Sequence, residues 1–334
     1  MRVFVAGSGG YLGIPLCHQL AKEGHDVIAF DRYFFGKRPS GDRITVVVGD
    51  TRNIGADDLR GVDAVFDLAG LSNDASCDID PSYTSRINVG GAIKLIEAAL
   101  GAKVRRYIYS SSASVYGHGE TTNLTETSPV HPLTEYAKSK LEVERYMRNN
   151  CRAGAVILRN ATVFGLAPRM RFDLAVNVMT ARAMLEGVVY VMGGGNQWRP
   201  LIHVGDVVSA LMWAMYNAHD GNVSGETFNV GCQANQMTVR TLAGRVANTF
   251  PNVRIHNIPD DADARSYHLS FEKLKKVRPR AQYLTIESGV WEVRNALTRG
   301  ETFTDPTTNT LSWYKQIIDW NQRLEEFKRS GPVL

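Results

Sequence analysis

Tyr136 and Lys140 stand four residues apart in Tyr136-Ala137-Lys138-Ser139-Lys140, so on a helix they share one face. A free tyrosine has a pKa near 10 and is only about 0.1% phenolate at pH 7. A neighbouring ammonium favours the phenolate, and lowering the pKa by about three units takes roughly 4 kcal/mol of differential stabilisation. A tyrosine so placed can exchange a proton near neutrality. The pair by itself is a weak signal, because exposed helical pairs with this spacing are common. Its setting strengthens it: an apolar run ends in Ser110-Ser111-Ser112-Ala113-Ser114, which puts the Ser112 hydroxyl at a strand end shortly before that helix.

A second chemical signal lies at the N-terminus, where Gly7-Ser8-Gly9-Gly10-Tyr11-Leu12-Gly13 follows an apolar strand and opens a helix. Absent side chains at Gly7, Gly10 and Gly13 let the backbone turn tightly and approach a pyrophosphate, which the free amides of the helix N-terminus attract. The next strand ends at Asp31, whose carboxylate can accept both hydroxyls of an adenosine ribose. NAD is therefore expected over NADP, since Asp31 repels a ribose phosphate, although adjacent Arg32 is what such a phosphate would want. Two further strand ends, Gly49-Asp50-Thr51 and Leu68-Ala69-Gly70, fall on the same edge and are expected at the adenine and the cofactor backbone. A bound nicotinamide would add its positive charge to that of Lys140 in favouring the phenolate.

These residues need a scaffold, and the rest of the chain supplies one. Short β-branched runs at residues 2–6, 27–30, 44–48, 64–68, 106–110 and 155–158 alternate with amphipathic stretches at 11–22, 83–100 and 136–148. Buried strands joined by crossover helices predict an α/β, Rossmann-like, doubly wound parallel sheet. Past residue 165 the pattern shifts to longer helices at 172–186, 206–217, 239–250 and 286–297. Residues 1–165 are accordingly read as the dinucleotide-binding domain, with 202–230 returning to it. Residues 166–201 and 231–334 are read as a smaller, interleaved substrate lobe.

Composition excludes other classes. With 334 residues, 44% hydrophobic and 22% charged, the chain is long enough for a large core and unlike a disordered one. Its formal charge of +4 is spread without a run of like charges, so no nucleic-acid partner is expected. Cys17, Cys77, Cys151 and Cys232 lie far apart with no C-x-x-C pair, which predicts neither a metal site nor a disulfide framework and fits a cytoplasmic setting. No apolar stretch is long enough to predict a membrane span, and Val3-Phe4-Val5-Ala6 follows the start without a charged leader.

Taken together, the glycine loop, Asp31, Asp50, Leu68-Ala69-Gly70, Asn88, Ser112, Tyr136, Lys140, Leu158-Arg159, the run from Trp198 to Asp206 and Phe228-Asn229-Val230-Gly231 resemble an extended short-chain dehydrogenase/reductase of the nucleotide-sugar epimerase/dehydratase family. The resemblance implies Tyr136 as acid/base, Lys140 as its electrostatic partner and ribose ligand, and Ser112 as hydrogen-bond donor to the reacting sugar oxygen. It implies cofactor contacts from Gly7, Gly10, Tyr11, Leu12, Gly13, Asp31, Arg32, Asp50, Thr51, Leu68, Ala69, Gly70, Asn88, Ser110 and Ala161. It also implies substrate contacts from Ser72, Thr162, Asn177, Arg199 and Arg265, the two arginines gripping the nucleotide diphosphate. His203 reads instead as a structural hydrogen-bonder, and a homodimer through the 83–100 and 136–148 helices is expected.

The chain departs from the family pattern where substrate is handled. Ala113 and Ser114 stand where dehydratases and glucuronate decarboxylases carry acidic side chains, which disfavours both reactions. Thr162 replaces a common asparagine, and Ser72 replaces a lysine found in UDP-galactose 4-epimerases, so the sugar stays open. The basic run from Gly165 to Asp173 could border an anionic substrate or be a plain loop. The expected function is an NAD-dependent nucleotide-sugar epimerase acting at C4 through a transient 4-keto sugar. Alternatives are a reductase or dehydrogenase of a nucleotide-linked keto sugar, and a sensor that keeps the fold without catalysis.

Overall fold

In the computed structural model the described residues are 1–117, 123–151, 153–258, 266–300 and 303–330. Strands β1 (Arg2–Ala6), β2 (Asp26–Asp31), β3 (Ile44–Val48), β4 (Ala64–Asp67), β5 (Arg106–Ser112), β6 (Ala155–Asn160) and β10 (Thr227–Val230) form one parallel sheet in the order β10-β6-β5-β4-β1-β2-β3. Side chains alternate across it. Val3 and Val5 point to one face, where they pack with Leu16 and Leu20 of α1 (Gly13–Lys22) and Val207, Leu211 and Met215 of α7 (Val204–Asn217). Phe4 and Ala6 point to the other, against Leu95 and Ile96 of α4 (Gly91–Gly101) and Val143 and Met147 of α5 (Glu135–Asn150). The strand order reverses between β1 and β4, and the carboxyl edge there is where such sheets bind ligands.

The helix predicted over 83–100 is present as one continuous helical run over 81–101, widened by a π-type bulge. Short α2 (Asp74–Cys77) and α3 (Pro81–Thr84) lead into a wider, π-type stretch over Ser85–Gly90 before α4. That stretch carries Asn88, which it turns toward the backbone of Leu71.

Beyond residue 161 the chain builds several short strands that the sequence pattern did not reveal. Strands β7 (Thr162–Phe164), β9 (Trp198–His203) and β11 (Gln236–Thr238) form a three-stranded sheet, and β8 (Val188–Met192) pairs with β12 (Arg254–Ile258). Helices α6 (Ala175–Glu186), α8 (Val239–Ala247) and α10 (Ile286–Thr298) bury Val176, Leu242 and Val290 in a common core. Helix α9 (Glu272–Val277) lies by β10, where Lys273 Nζ donates to the Thr227 carbonyl at 2.8 Å. A further helix, α11 (Thr310–Ser330), was also unforeseen. It reaches back to the first domain: the Trp313 indole donates to the Phe34 carbonyl at 2.6 Å, and Tyr314 meets Phe35 edge-on.

Candidate active site

A cleft of about 1180 Å³ runs along the carboxyl edge of the sheet, from the glycine loop to β9 and α11. At one end the glycines are required by the geometry. Gly7 has φ +81°, and a Cβ there would stand 2.7 Å from the Leu68 backbone; one on Gly13 would stand 2.1 Å from the Gly7 carbonyl. No side chain caps α1; Ile14 N donates to the Gly10 carbonyl and residue 15 is a proline, so the Gly13 amide is the one in its first turn that remains for an anion.

Asp31 ends β2 beside this loop and accepts from the amides of Gly9 at 3.1 Å and Tyr33 at 2.6 Å. Burial pushes its carboxyl above the usual range, and those two amides oppose the shift. Arg32 turns away from it, donating to Asp50 at 2.9 Å and stacking over the Phe34 ring. Asp50 also receives a two-pronged Arg52, chiefly because of which its carboxyl is held down at about 2. The glycine cradle and the acid beyond it suit a dinucleotide, and Gly7, Gly10, Tyr11, Leu12, Gly13, Asp31, Arg32, Asp50, Thr51, Leu68, Ala69, Gly70, Ser110 and Ala161 all line the cleft.

Asn88 requires a correction. Its side chain is buried, accepts from the Leu71 amide at 2.7 Å and donates to the Leu71 carbonyl and the Ser139 hydroxyl. It stands behind the cofactor wall and braces the Gly70–Leu71 turn rather than lining the cleft. Gly70 must be glycine for the same reason: at φ +138°, its Cβ would sit 2.8 Å from Asn88 Oδ1.

At the other end β5 delivers Ser112 and α5 delivers Tyr136 and Lys140. Thr134 caps α5, accepting from the Ala137 amide at 3.2 Å while donating to Asp74. Lys140 is buried, donates to the Ser110 carbonyl at 2.9 Å, and places its ammonium 5.8 Å from the Tyr136 ring centre. Burial pulls its pKa down, and the carboxylate of Asp67, which is fully buried with one oxygen lacking a hydrogen-bond partner, pulls it back up.

Ser112 hydrogen-bonds Tyr136 and accepts from both the amide and the hydroxyl of Ser114, at 3.1 and 2.9 Å. Enclosure of the hydroxyl pushes the Tyr136 phenol above its ordinary value; Asp74 and Cys77 add to this, while Ser112 and Arg171 oppose it. Lys140 and a bound nicotinamide are together expected to lower this pKa. In the protein alone desolvation outweighs that, so the phenolate needs a further positive charge from a ligand.

Ser72, Thr162 and Arg199 line the same cleft. Asn177 does not, and its expected contact with substrate is a second correction. It is fully buried, accepts from the Gly165 amide at 3.0 Å, and donates to Tyr11 and to the Arg171 carbonyl. With Tyr11 donating to the Gly165 carbonyl, this joins the glycine loop to the lobe. Arg265 lies outside the described residues. His203 Nδ1 accepts from the Gly205 amide, which leaves Nε2 to donate to Glu292 at 2.8 Å.

Several cleft residues were missed. Arg171, Asp173 and Asn73 form one network, with Arg171 donating to Asp173 at 3.1 and 2.6 Å and Asn73 donating to Asp173 at 2.7 Å. Arg169, Asp74 and Tyr314 also line the cleft. The only signal for the two arginines was the basic run from Gly165 to Asp173.

A doubly wound sheet with a glycine cradle, a strand-end acid and a Ser112, Tyr136, Lys140 trio defines a dinucleotide-dependent enzyme of the short-chain dehydrogenase/reductase type. Sequence comparison sharpens the class. The profile of the NAD dependent epimerase/dehydratase family matches residues 3–231, and the chain belongs to that family. It is 31% identical over 249 residues to a UDP-glucose 4-epimerase of Mycolicibacterium smegmatis, covering 69% of this chain and 77% of that one. It is 28% identical over 283 residues to UDP-glucuronic acid decarboxylase 4 of Arabidopsis thaliana, covering 79% and 60%. Among solved structures, MoeE5 in complex with UDP-glucose and NAD superposes with a TM-score of 0.77 at 27% identity, covering 90% of this chain and 99% of that one. The cofactor is NAD.

Proposed function

We propose that this protein is an NAD-dependent nucleotide-sugar epimerase that inverts C4 through a transient 4-keto sugar. The observation that carries the reading is the company Tyr136 keeps. It stands with Ser112 and Lys140 in the cleft that also holds the glycine cradle, while positions 113 and 114 offer an alanine and a serine where elimination or decarboxylation would want an acid. The names of the relatives support a nucleotide sugar as substrate.

NAD, when bound, supplies a cationic ring that accepts and returns a hydride at the sugar carbon. The protein handles the proton. Tyr136 takes it from the O4 hydroxyl, and Ser112, whose lone pairs already receive the Ser114 amide and hydroxyl, has one O–H to give, which turns from the Tyr136 phenol to the developing carbonyl oxygen. Lys140, pinned on the Ser110 carbonyl, holds positive charge beneath the phenol. The keto sugar must then present its other face while the diphosphate stays anchored. Arg199 on β9 is the described candidate for that anchor, with Arg265 as its partner clamp. Ser72 and Thr162 would contact the sugar.

The enzyme is further proposed to work in the cytoplasm as a homodimer. Four free cysteines support the first, and exposed Tyr83, Leu100 and Leu133 near α3, α4 and α5 support the second. Light scattering on the purified protein tests the dimer.

UDP-glucose carrying deuterium at C4 tests the reaction. Product bearing the label at C4, with no net reduced cofactor, is the expected outcome. Loss of label with NADH accumulating in solution would establish the dehydrogenase alternative instead.

A further inference from the structure

Arg169 is 3% exposed, lines the cleft and takes part in no ion pair among the described residues. Its Nη2 donates to the Thr310 hydroxyl at 2.9 Å, its guanidinium lies 3.7 Å from the centre of the Phe35 ring, and its Nε has no hydrogen-bond partner. The charged and titratable groups around it are Asp31, Asp173, Arg171, Tyr11 and Tyr314. Neither carboxylate forms an ion pair with it among the described residues: Asp31 receives the amides of Gly9 and Tyr33, and Asp173 receives Arg171, Asn73 and the Thr310 hydroxyl.

An arginine does not shed its proton in a protein, so this is a buried cation whose neighbouring carboxylates, Asp31 and Asp173, act on it without a direct ion pair. Such a charge is costly unless something pairs with it. The stack on Phe35 is favourable but leaves the edge of the guanidinium, where its donors lie, unsatisfied. The position says what is missing. Arg169 lines the same cleft as Tyr11, in the loop that opens α1, and Asp31, at the ribose end of the cofactor site, and its charge acts on both. The part of a dinucleotide that must cross from that loop to Asp31 is its diphosphate.

We propose that Arg169 is a ligand of the cofactor's diphosphate, held in the cleft by the Phe35 ring and by Thr310 at the start of α11. The inference rests on the dinucleotide reading of the site. It adds a contact from the lobe to those made by the glycine loop, so the lobe and α11 grip NAD directly. A guanidinium fork on adjacent phosphate oxygens also neutralises charge that the N-terminus of α1 only partly offsets.

Calorimetry with ADP and with adenosine, on cofactor-stripped full-length protein, tests it. In the wild type both should bind, ADP the more tightly. Arg169→Met should weaken ADP and NAD by roughly 10- to 100-fold while adenosine changes by less than about two-fold. Equal losses for ADP and adenosine, or an unchanged ADP affinity, would overturn the proposal. If the Met variant does not fold, Arg169→Lys carries the test: the charge remains but the fork is lost, so ADP should weaken by roughly three- to ten-fold with adenosine unchanged. A Lys variant with wild-type affinity for ADP would overturn it equally. A wild type that binds neither NAD nor adenosine would instead sink the dinucleotide reading, and this proposal with it.

Discussion

Asp50 holds Arg32 at 2.9 Å, and so the arginine that follows Asp31, the proposed ribose ligand, is already paired. On the proposed reading two carboxylates would set the choice of NAD over NADP: Asp31 would repel a ribose phosphate, and Asp50 would keep that phosphate's natural ligand occupied. Asp31→Ser should narrow the preference for NAD. Adding Asp50→Asn should narrow it further by freeing Arg32. Titration of both cofactors into the single and double variants checks this, and an unchanged ratio on adding Asp50→Asn would show that Arg32 was never available.

The same carboxylate makes a pH-dependent contribution to stability. Its pKa is lowered from 3.8 to about 2 in the folded protein, chiefly by Arg52. A depressed folded value stabilises the protein above the unfolded pKa, and that contribution is lost as pH falls through the folded one. Urea midpoints of wild type and Asp50→Asn should differ by a constant amount from pH 5 to 7 and converge between about pH 4 and pH 2. Divergence on acidification would contradict the ion-pair geometry.

Tyr136→Phe removes the hydroxyl assigned to move the proton and keeps the ring. Turnover should fall by roughly 10² to 10⁴ while affinity for nucleotide sugar stays within about two-fold. Isothermal binding alongside steady-state kinetics separates the two effects. Residual turnover near the wild-type rate would transfer the acid/base role to another group, with Asp74 first in line, since its charge acts on the same phenol.

Arg199→Ala should act on binding. Loss of a charge-assisted pair costs about 2 to 3 kcal/mol, so KM for the nucleotide sugar should rise by roughly 30- to 150-fold with kcat within a few-fold. An unaltered KM would remove Arg199 from the diphosphate site.

Under the catalytic wall, Arg159 and Glu144 form a buried ion pair, with side chains 2% and 0% exposed, joined at 2.7 Å. Ser111 donates to the same carboxylate and the Tyr116 hydroxyl meets the other side of the guanidinium. Glu144→Ala leaves that cation uncompensated and should cost about 3 to 5 kcal/mol of stability. Glu144→Ala with Arg159→Met should recover much of this, as judged by chemical denaturation.

The central sheet could be read from sequence because parallel strands buried on both faces are continuous runs such as Val3-Phe4-Val5-Ala6, which little else resembles. Ser112, Tyr136 and Lys140 were readable because one strand end and one helix turn carry all three. The segments past residue 161 were not, since strands as short as Thr162–Phe164 are too brief to show a period and Val188–Met192 is apolar throughout, so its alternating burial leaves no trace in the sequence. Asn88 and Asn177 were placed in contact with ligands because a polar residue near a site gives no sign of which way it points. The rear wall of the cleft was beyond reach for another reason. Its hydrogen bond from Asn73 to Asp173 spans 100 residues, and Arg169 depends on Phe35 and Thr310, so no local pattern contains it.

Strand β10 joins the sheet beside β6 only after the chain has passed through β7, α6, β8 and β9. During synthesis, then, β6 waits with one hydrogen-bonding edge bare while more than sixty residues emerge, since β6 ends at Asn160 and β10 begins at Thr227. An unpaired, apolar edge invites pairing between nascent chains. A fragment cut before Thr227 would keep the glycine loop and the whole of α5 yet carry that bare edge permanently. Such a piece should precipitate rather than persist as a small soluble dinucleotide binder.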